Sequence, residues 1–406
     1  MAVRVLSRVA AALTHRDFRI LWLGAAVSTI GTWMQKVAQN WLVLTITGSA
    51  FYLGLDSFLG ELPILLFTLI GGVIADRHNR RRLLIASQYV QMACAFTLMF
   101  LVYWDVVTIW HVLALSFVAG TAQAFGGPAY QSLIPQLVST DHLPNAIALN
   151  SIQFNIARVV GPLLAGLALA ALGSAACFGL NGLSFLVVIA ALVALRVVHV
   201  APRTRAPLID ELRTGVAYAR GHGALVALIS LSFVSTFLGL PLLTLLPVYA
   251  QDVFHGGVTE YSKLMAFSGA GAVTGALVVA WLGRFQHMGR TVLVMQVVFG
   301  LLIVGFAVSR QLWLSRALLF LGGAALIIVF SMLTSLVQLI APNEMRGRVM
   351  SIYMVAFRGG SPLGSLLSGL VASQLGAPVA LVANGALLSA VAVYFLWSPR
   401  GVVRHL

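Results

Sequence analysis

Five ionisable residues lie inside long apolar runs of the chain: Lys36, Asp56, Glu61, Arg158 and Arg358. Each costs roughly 2.5–3.5 kcal/mol to place in a bilayer, so each is a functional hypothesis. Counted from the turn near Thr47-Gly48 at about 1.5 Å per residue, Lys36 falls within roughly 3–5 Å in depth of either acid. Such a pair has three readings. It neutralises two charges for structure, or it holds a protonatable carboxylate whose titration drives a cycle, or it faces a cavity and binds a ligand. Burial and a neighbouring cation pull a carboxylate in opposite directions, so the pair can switch with its surroundings. Asp56 is nearer the end of its run and is expected to be wet.

Thr32, Gln35, Lys36, Gln39 and Asn40 recur at helical spacing and make one polar stripe. Gln123, and Ser331, Thr334, Ser335 and Gln338, are weaker binding candidates. Their plain alternative is hydrogen bonding between helices. Arg158 precedes Gly161-Pro162, and Arg158-Val-Val-Gly161-Pro162-Leu163 recurs in the second half as Arg358-Gly-Gly-Ser361-Pro362-Leu363. Small residues there permit close packing, and proline kinks a helix by removing a backbone hydrogen bond. The two arginines either bridge helices through backbone carbonyls or hold an anionic group. No histidine lies deep in an apolar segment, and Cys94 and Cys177 show no metal-ligand spacing. No cofactor, metal or enzyme activity is expected, since no His/Asp or Cys/His set shares a depth and no nucleotide-binding loop occurs.

These residues must be positioned by membrane helices. Of 406 residues 60% are hydrophobic and 9% charged, against roughly 25% charged in a soluble domain. Twelve segments approach the length of about 20 apolar residues that a span needs. They are Phe18–Ile46, Phe51–Ala75, Leu83–Trp104, Ile109–Leu133, Leu143–Leu172 and Ala175–Leu195, then Ala224–Tyr249, Tyr261–Leu282, Thr291–Val308, Leu312–Ile340, Val349–Gln374 and Pro378–Trp397. The runs are too long for barrel strands and lack strict alternation. The N-terminus is basic with short apolar runs, which does not read as a cleavable signal peptide.

The net charge of +14 suggests nucleic acid at first sight, but the basic residues lie between apolar segments. The N-terminal tail, the C-terminus and the loops after segments 2, 6, 8 and 10 are arginine-rich, whereas the other side has Lys263, Arg310 and Arg316. That bias places both termini in the cytoplasm of a plasma (inner) membrane protein, and no nucleic-acid partner is expected. Residues 1–195 and 224–406 read as two six-helix halves. Residues 196–223 read as a cytoplasmic linker. Within it Leu208, Leu212, Val216 and Ala219 make one apolar helix face that would lie along the membrane surface.

Between segments 2 and 3 the chain reads Gly72-Val-Ile-Ala75-Asp76-Arg77-His-Asn79-Arg80-Arg81. This resembles the signature between helices 2 and 3 of the major facilitator superfamily, a glycine, an acid-basic pair and a basic cluster. Asn79 stands where Gly is usual, a departure that a tight turn absorbs. FRILWLG, IGTWMQKVAQNWLV, TGSAFYLGL and GGVIADRHNRRRLL, with APNEMRGRVMSIYM and SPLGSLLSGL later, are similar to the drug and siderophore exporter branch that includes the enterobactin exporter. The run at Gly161-Pro162 resembles the helix 5 signature of the superfamily's antiporters, with Ala157 and Ala165 where Gly is usual.

The resemblance implies an all-α polytopic membrane protein with twelve helices in two parallel repeats. It implies that helices 1, 4, 7 and 10 line a cavity, so the polar stripe would face substrate. It also implies a cytoplasmic gate at Gly72, Asp76, Arg77, Arg80 and Arg81, with Asp76 near the start of helix 11 at Arg346-Gly347-Arg348. Arg284 aligns with Asp76 in the second half, so the acid is not repeated. The plain alternative is that these arginines set topology and contact anionic lipid. The expected function is proton-coupled export of a small amphipathic, drug-like or siderophore-like molecule by alternating access, by a monomer in contact with membrane lipids. A lipid or lysolipid flippase is the alternative within the fold. A scaffold or sensor would need neither the loop, the acids nor the stripe.

Overall fold

The computed structural model describes residues 11–196, 208–283 and 285–397, and the backbone alone at Leu69, Val73, Ala75–Arg77 and Leu208–Leu212. In hydrocarbon each backbone polar group must pair within its own segment, so the long apolar runs form helix. The first half holds α1 (Arg16–Thr47), α2 (Ala50–Arg77), α3 (Arg80–Tyr103), α4 (Ile109–Leu133) and α5 (Leu143–Ala194). Next come α6 (Leu208–Arg220), α7 (Gly223–Gly239) and α8 (Pro241–Val248), which runs on through a π-helical turn, Tyr249–Val253. The chain ends with α9 (Val258–Leu282), α10 (Met288–Val308), α11 (Leu312–Ile340), α12 (Arg346–Leu375) and α13 (Ala377–Trp397). No strand occurs among the described residues.

Nine helices among the described residues are long and apolar enough to cross a membrane. One of these, Thr140–Ala194, has 55 residues. At about 1.5 Å per residue it far exceeds the roughly 30 Å hydrocarbon core, so it cannot be one span. Gly173 divides it, with φ 79° and ψ 178°, a conformation open to glycine. Contacts along α1 show that the chain reverses there. Trp22 Nε1 donates to the Leu149 carbonyl, Gln153 Nε2 donates to Thr29 Oγ1, and Gly161 abuts Trp33, an ascending series. Beyond Gly173 the series descends, from Asn181 at Gln35 and Ser184 at Gly31 to Ala191 at Gly24. The two limbs of α5 are therefore antiparallel. Two further long helices, α1 and α12, are less apolar because α1 carries the polar stripe and α12 is rich in Gly, Ser and Arg.

The chain forms two compact units, Met1–Leu42 with Leu59–Thr204, and Val43–Phe58 with Arg205–Leu406. The first is built around Phe18, Leu21, Leu84, Leu133, Phe185 and Leu192. A short 3-10 turn before α1 is tied to it by Ala12 N donating to Asn145 Oδ1 at 2.8 Å. The second is built around Leu228, Leu231, Val292, Leu293, Leu336 and Tyr353. The linker helix α6 packs on protein. It is pressed against α12, with Gly215 and Ala219 buried and a Cβ at Gly215 falling 3.1 Å from Arg348 Cβ. Gly215 and Ala219 are one turn apart and too small to hold the helices at a distance. The side chains of Leu208 and Leu212 lie outside the described residues.

Each unit contains the same backbone crossing. A Cβ at Gly161 would fall 3.0 Å from the Ile30 carbonyl oxygen and 3.2 Å from Met34 N. A Cβ at Gly360 would fall 2.6 Å from the Phe233 carbonyl oxygen and 2.9 Å from Phe237 N. The equivalent of Gly161 is thus Gly360, one residue before the position given by aligning Pro162 with Pro362. One residue turns a side chain by about 100° around a helix. Phe357, rather than Arg358, therefore takes the place of Arg158. One turn on, a Cβ at Gly364 would overlap the Phe237 carbonyl oxygen, whereas at Gly72 it would meet open space. Gly364→Ala should destabilise the protein by about 1–3 kcal/mol through overpacking. Gly72→Ala should be neutral or stabilising, because alanine favours helix. Thermal unfolding in detergent compares the two.

Candidate substrate and coupling site

The pair expected from depth is formed by Lys36 on α1 and Glu61 on α2, with Nζ to Oε1 at 3.9 Å. Their side chains are 50% and 33% exposed. A half-exposed lysine within a membrane helix does not face lipid, so the pair borders water. A loose, wet pair can exchange protons and ligands as a sealed one cannot. Asp56 was expected to be wet, yet it is buried, at 5% exposure. Its turn of α2 belongs to the second unit, where a Cβ at Gly54 would lie 3.2 Å from Gly369 Cα on α12.

The polar stripe divides into two kinds of residue. Gln35 Oε1 accepts from Asn181 Nδ2 at 2.6 Å, and Gln39 Nε2 donates to Ser116 Oγ at 2.8 Å. These amides tie α1 to α5 and α4. Thr32 donates to the Ser28 carbonyl at 2.9 Å and is exposed, as is Lys36, while Asn40 is half-buried. Gln123 and Gln338 are both exposed. In the second unit a cavity of about 270 Å³ is lined by Phe330, Ser331, Thr334, Tyr353, Met354 and Phe357. Thr334 Oγ1 and Tyr353 OH are hydrogen-bonded there at 2.9 Å.

The matching roles expected for Arg158 and Arg358 are corrected. Arg158 is buried at 9% exposure and Arg358 is exposed, the result of the one-residue shift between crossing and proline. Neither guanidinium bonds to a backbone carbonyl among the described residues, so neither forms the expected bridge. Gly161 with Trp33, and Gly360 with Phe233 and Phe237, join those helices instead. Arg158 lies over the Trp33 ring, Cζ 5.6 Å from its centroid, and Lys36 Nζ lies 5.6 Å from the same ring. Phe154 meets Trp33 edge-on at 5.9 Å between centroids. Trp33 and Phe154 escaped the sequence reading. The available signal was Phe154, Arg158 and Gly161 at helical spacing, with Trp33 inside the polar stripe.

The basic loop is held at the ends of neighbouring helices. Arg80 Nη1 donates to the Ser132 carbonyl at 3.3 Å and Arg81 Nη2 to the Val193 carbonyl at 2.5 Å. Those carbonyls close α4 and α5, where unpaired acceptors and the helix dipole favour a cation. Arg346 repeats the device, with Nε donating to the Gln338 carbonyl near the end of α11 at 3.2 Å. The side chains of Asp76 and Arg77, and all of Arg284, lie outside the described residues. The close approach falls at Gly71 rather than Gly72, since a Cβ at Gly71 would overlap the Ala124 carbonyl oxygen. Asn79 is extended, with φ −66° and ψ 106°, and its side chain accepts from Arg82 N at 3.2 Å. It caps α3 and needs no left-handed glycine. Asn79→Ala should therefore cost about 0.5–2 kcal/mol and Asn79→Gly a few tenths, read from thermal unfolding with amide exchange in the first turn of α3.

The family described as transmembrane secretion effector matches residues 7–401. Macrolide efflux protein A of Streptococcus pyogenes is 25% identical over 384 residues, covering 93% of this chain and 94% of that protein. The staphyloferrin A transporter of Staphylococcus aureus (strain NCTC 8325 / PS 47) is 27% identical over 356 residues, covering 86% and 87%. Among solved structures, a bacterial homologue of the human lysosomal transporter Spinster, inward-facing and unoccupied, superimposes with a TM-score of 0.75. It is 15% identical, covers 94% of this chain and 98% of that one, and shares the fold. With the helices and signature residues described above, these matches make the chain a member of the transmembrane secretion effector family of the major facilitator superfamily, an integral membrane transporter.

Proposed function

We propose that this protein exports a small amphipathic molecule in exchange for protons, by alternating access, with Glu61 as the titrating group. The observation that carries this reading is the loose, partly exposed Lys36–Glu61 pair at 3.9 Å inside the membrane-spanning region. A carboxylate held by one cation can surrender that cation when it is protonated, which links proton binding to rearrangement. The names of the relatives, a macrolide efflux protein and a staphyloferrin A transporter, support export and a small-molecule substrate. The two units correspond to two six-helix halves. The basic loops face the cytoplasm, both termini lie on that side of the plasma membrane, and the working unit is a monomer.

Ethidium loaded into vesicles containing the purified protein should leave when a proton gradient is imposed. Glu61→Gln should remove the gradient dependence. Gradient-driven efflux that persists in this variant eliminates Glu61 as the coupling group. The orientation has its own test. In intact cells a membrane-impermeant maleimide should label Arg310→Cys and leave His78→Cys unlabelled, and the reverse pattern would invert the topology.

A further inference from the structure

The cations around Trp33 outnumber the anions. Lys36 and Arg158 each lie 5.6 Å from the ring centroid, and Lys36 is paired with Glu61. Arg158 makes no hydrogen bond or ion pair among the described residues, although it is nine-tenths buried. A guanidinium carries five N–H donors, and the face of an indole satisfies none of them as a carboxylate would. Leaving such a group uncompensated inside a membrane helix is costly. A purely structural arginine would find carbonyls, as Arg80 and Arg81 do.

The surroundings define what would complete the site. Phe154 lies one turn before Arg158 and is 50% exposed, with its edge against Trp33. Lys36, also half exposed, shows that the open side of the cluster is aqueous. Trp33 covers one side of a planar donor fork, Phe154 stands against Trp33, and the fork matches a carboxylate in bidentate geometry. The second unit lacks this chemistry, since Phe357 stands where Arg158 does and lines an aromatic cavity. We propose that Arg158, Trp33 and Phe154 form a subsite for the carboxylate of a flat aromatic acid, with Arg158 binding the anion and the two rings binding its apolar body. The subsite deepens the export reading and rests on it for its role in transport.

The test compares 2-naphthoate with 2-naphthamide, matched in shape and differing in charge, by calorimetry on the purified full-length protein in detergent. Wild type should bind naphthoate at least about tenfold more tightly than naphthamide, a difference of about 1.4 kcal/mol. Arg158→Gln should abolish the preference, and Arg158→Lys should restore part of it. Equal affinities in wild type, no naphthoate binding, or a preference that survives in Arg158→Gln would each overturn the subsite. The wild-type comparison needs no variant, so it stands if Arg158→Gln fails to fold. Gradient-driven ethidium efflux separates the two claims. Efflux without naphthoate preference removes the subsite alone, and naphthoate preference without gradient-driven efflux of either ethidium or naphthoate removes the export reading while the subsite stands.

Discussion

Lipid gives two helices no hydrophobic reason to adhere, so their packing depends on how closely their backbones can approach. Dispersion between two atoms is worth only about 0.1–0.2 kcal/mol and fades within an ångström, so contact must be tight and extended. Here the tight contacts fall at glycines. Gly24, Gly31 and Gly161 set α1 against both limbs of α5, and Gly360 and Gly364 set α7 against α12. Part of the chemistry in the first unit follows from those crossings. Gly161 brings Trp33 over Arg158, and Gly31 brings Gln35 within reach of Asn181. The reactive groups are placed by residues that have no side chains.

The ends of the helices obey a second rule. A helix leaves its last carbonyls without internal partners, and lipid supplies no water to satisfy them. Arg80, Arg81 and Arg346 reach the carbonyls at or near the ends of α4, α5 and α11. Arginines that read as topology markers thus also complete helices. One residue type meets both demands, because a cation favoured at the membrane surface is also favoured at the negative end of a helix dipole.

Much of this was legible in the sequence. Apolar length gave the spans, and counting depth from the turn at Gly48 brought Lys36 to the acids of α2. Which acid it would meet was not legible, because depth alone does not say that Asp56 is buried while Glu61 stands partly exposed beside Lys36. The equivalence of Arg158 and Arg358 failed for a geometric reason. The sequence repeat follows the prolines, while the packing follows the glycines one residue earlier. Trp33 and Phe154 were passed over because aromatic residues in apolar segments normally need no explanation. Their meaning comes from a buried guanidinium over Trp33, which only three dimensions reveal.

The reversal at Gly173 has a consequence for biogenesis. The two limbs of α5 have no connecting segment with an independent existence, since a single residue in a left-handed conformation joins helix to helix. Such a pair enters a bilayer as one helical hairpin. At that end of the unit a protease has no loop to cut and an antibody little to grasp. An inserted tag would have to break a helix to fit. Any side chain beyond glycine at this position would strain the bend on which the hairpin turns.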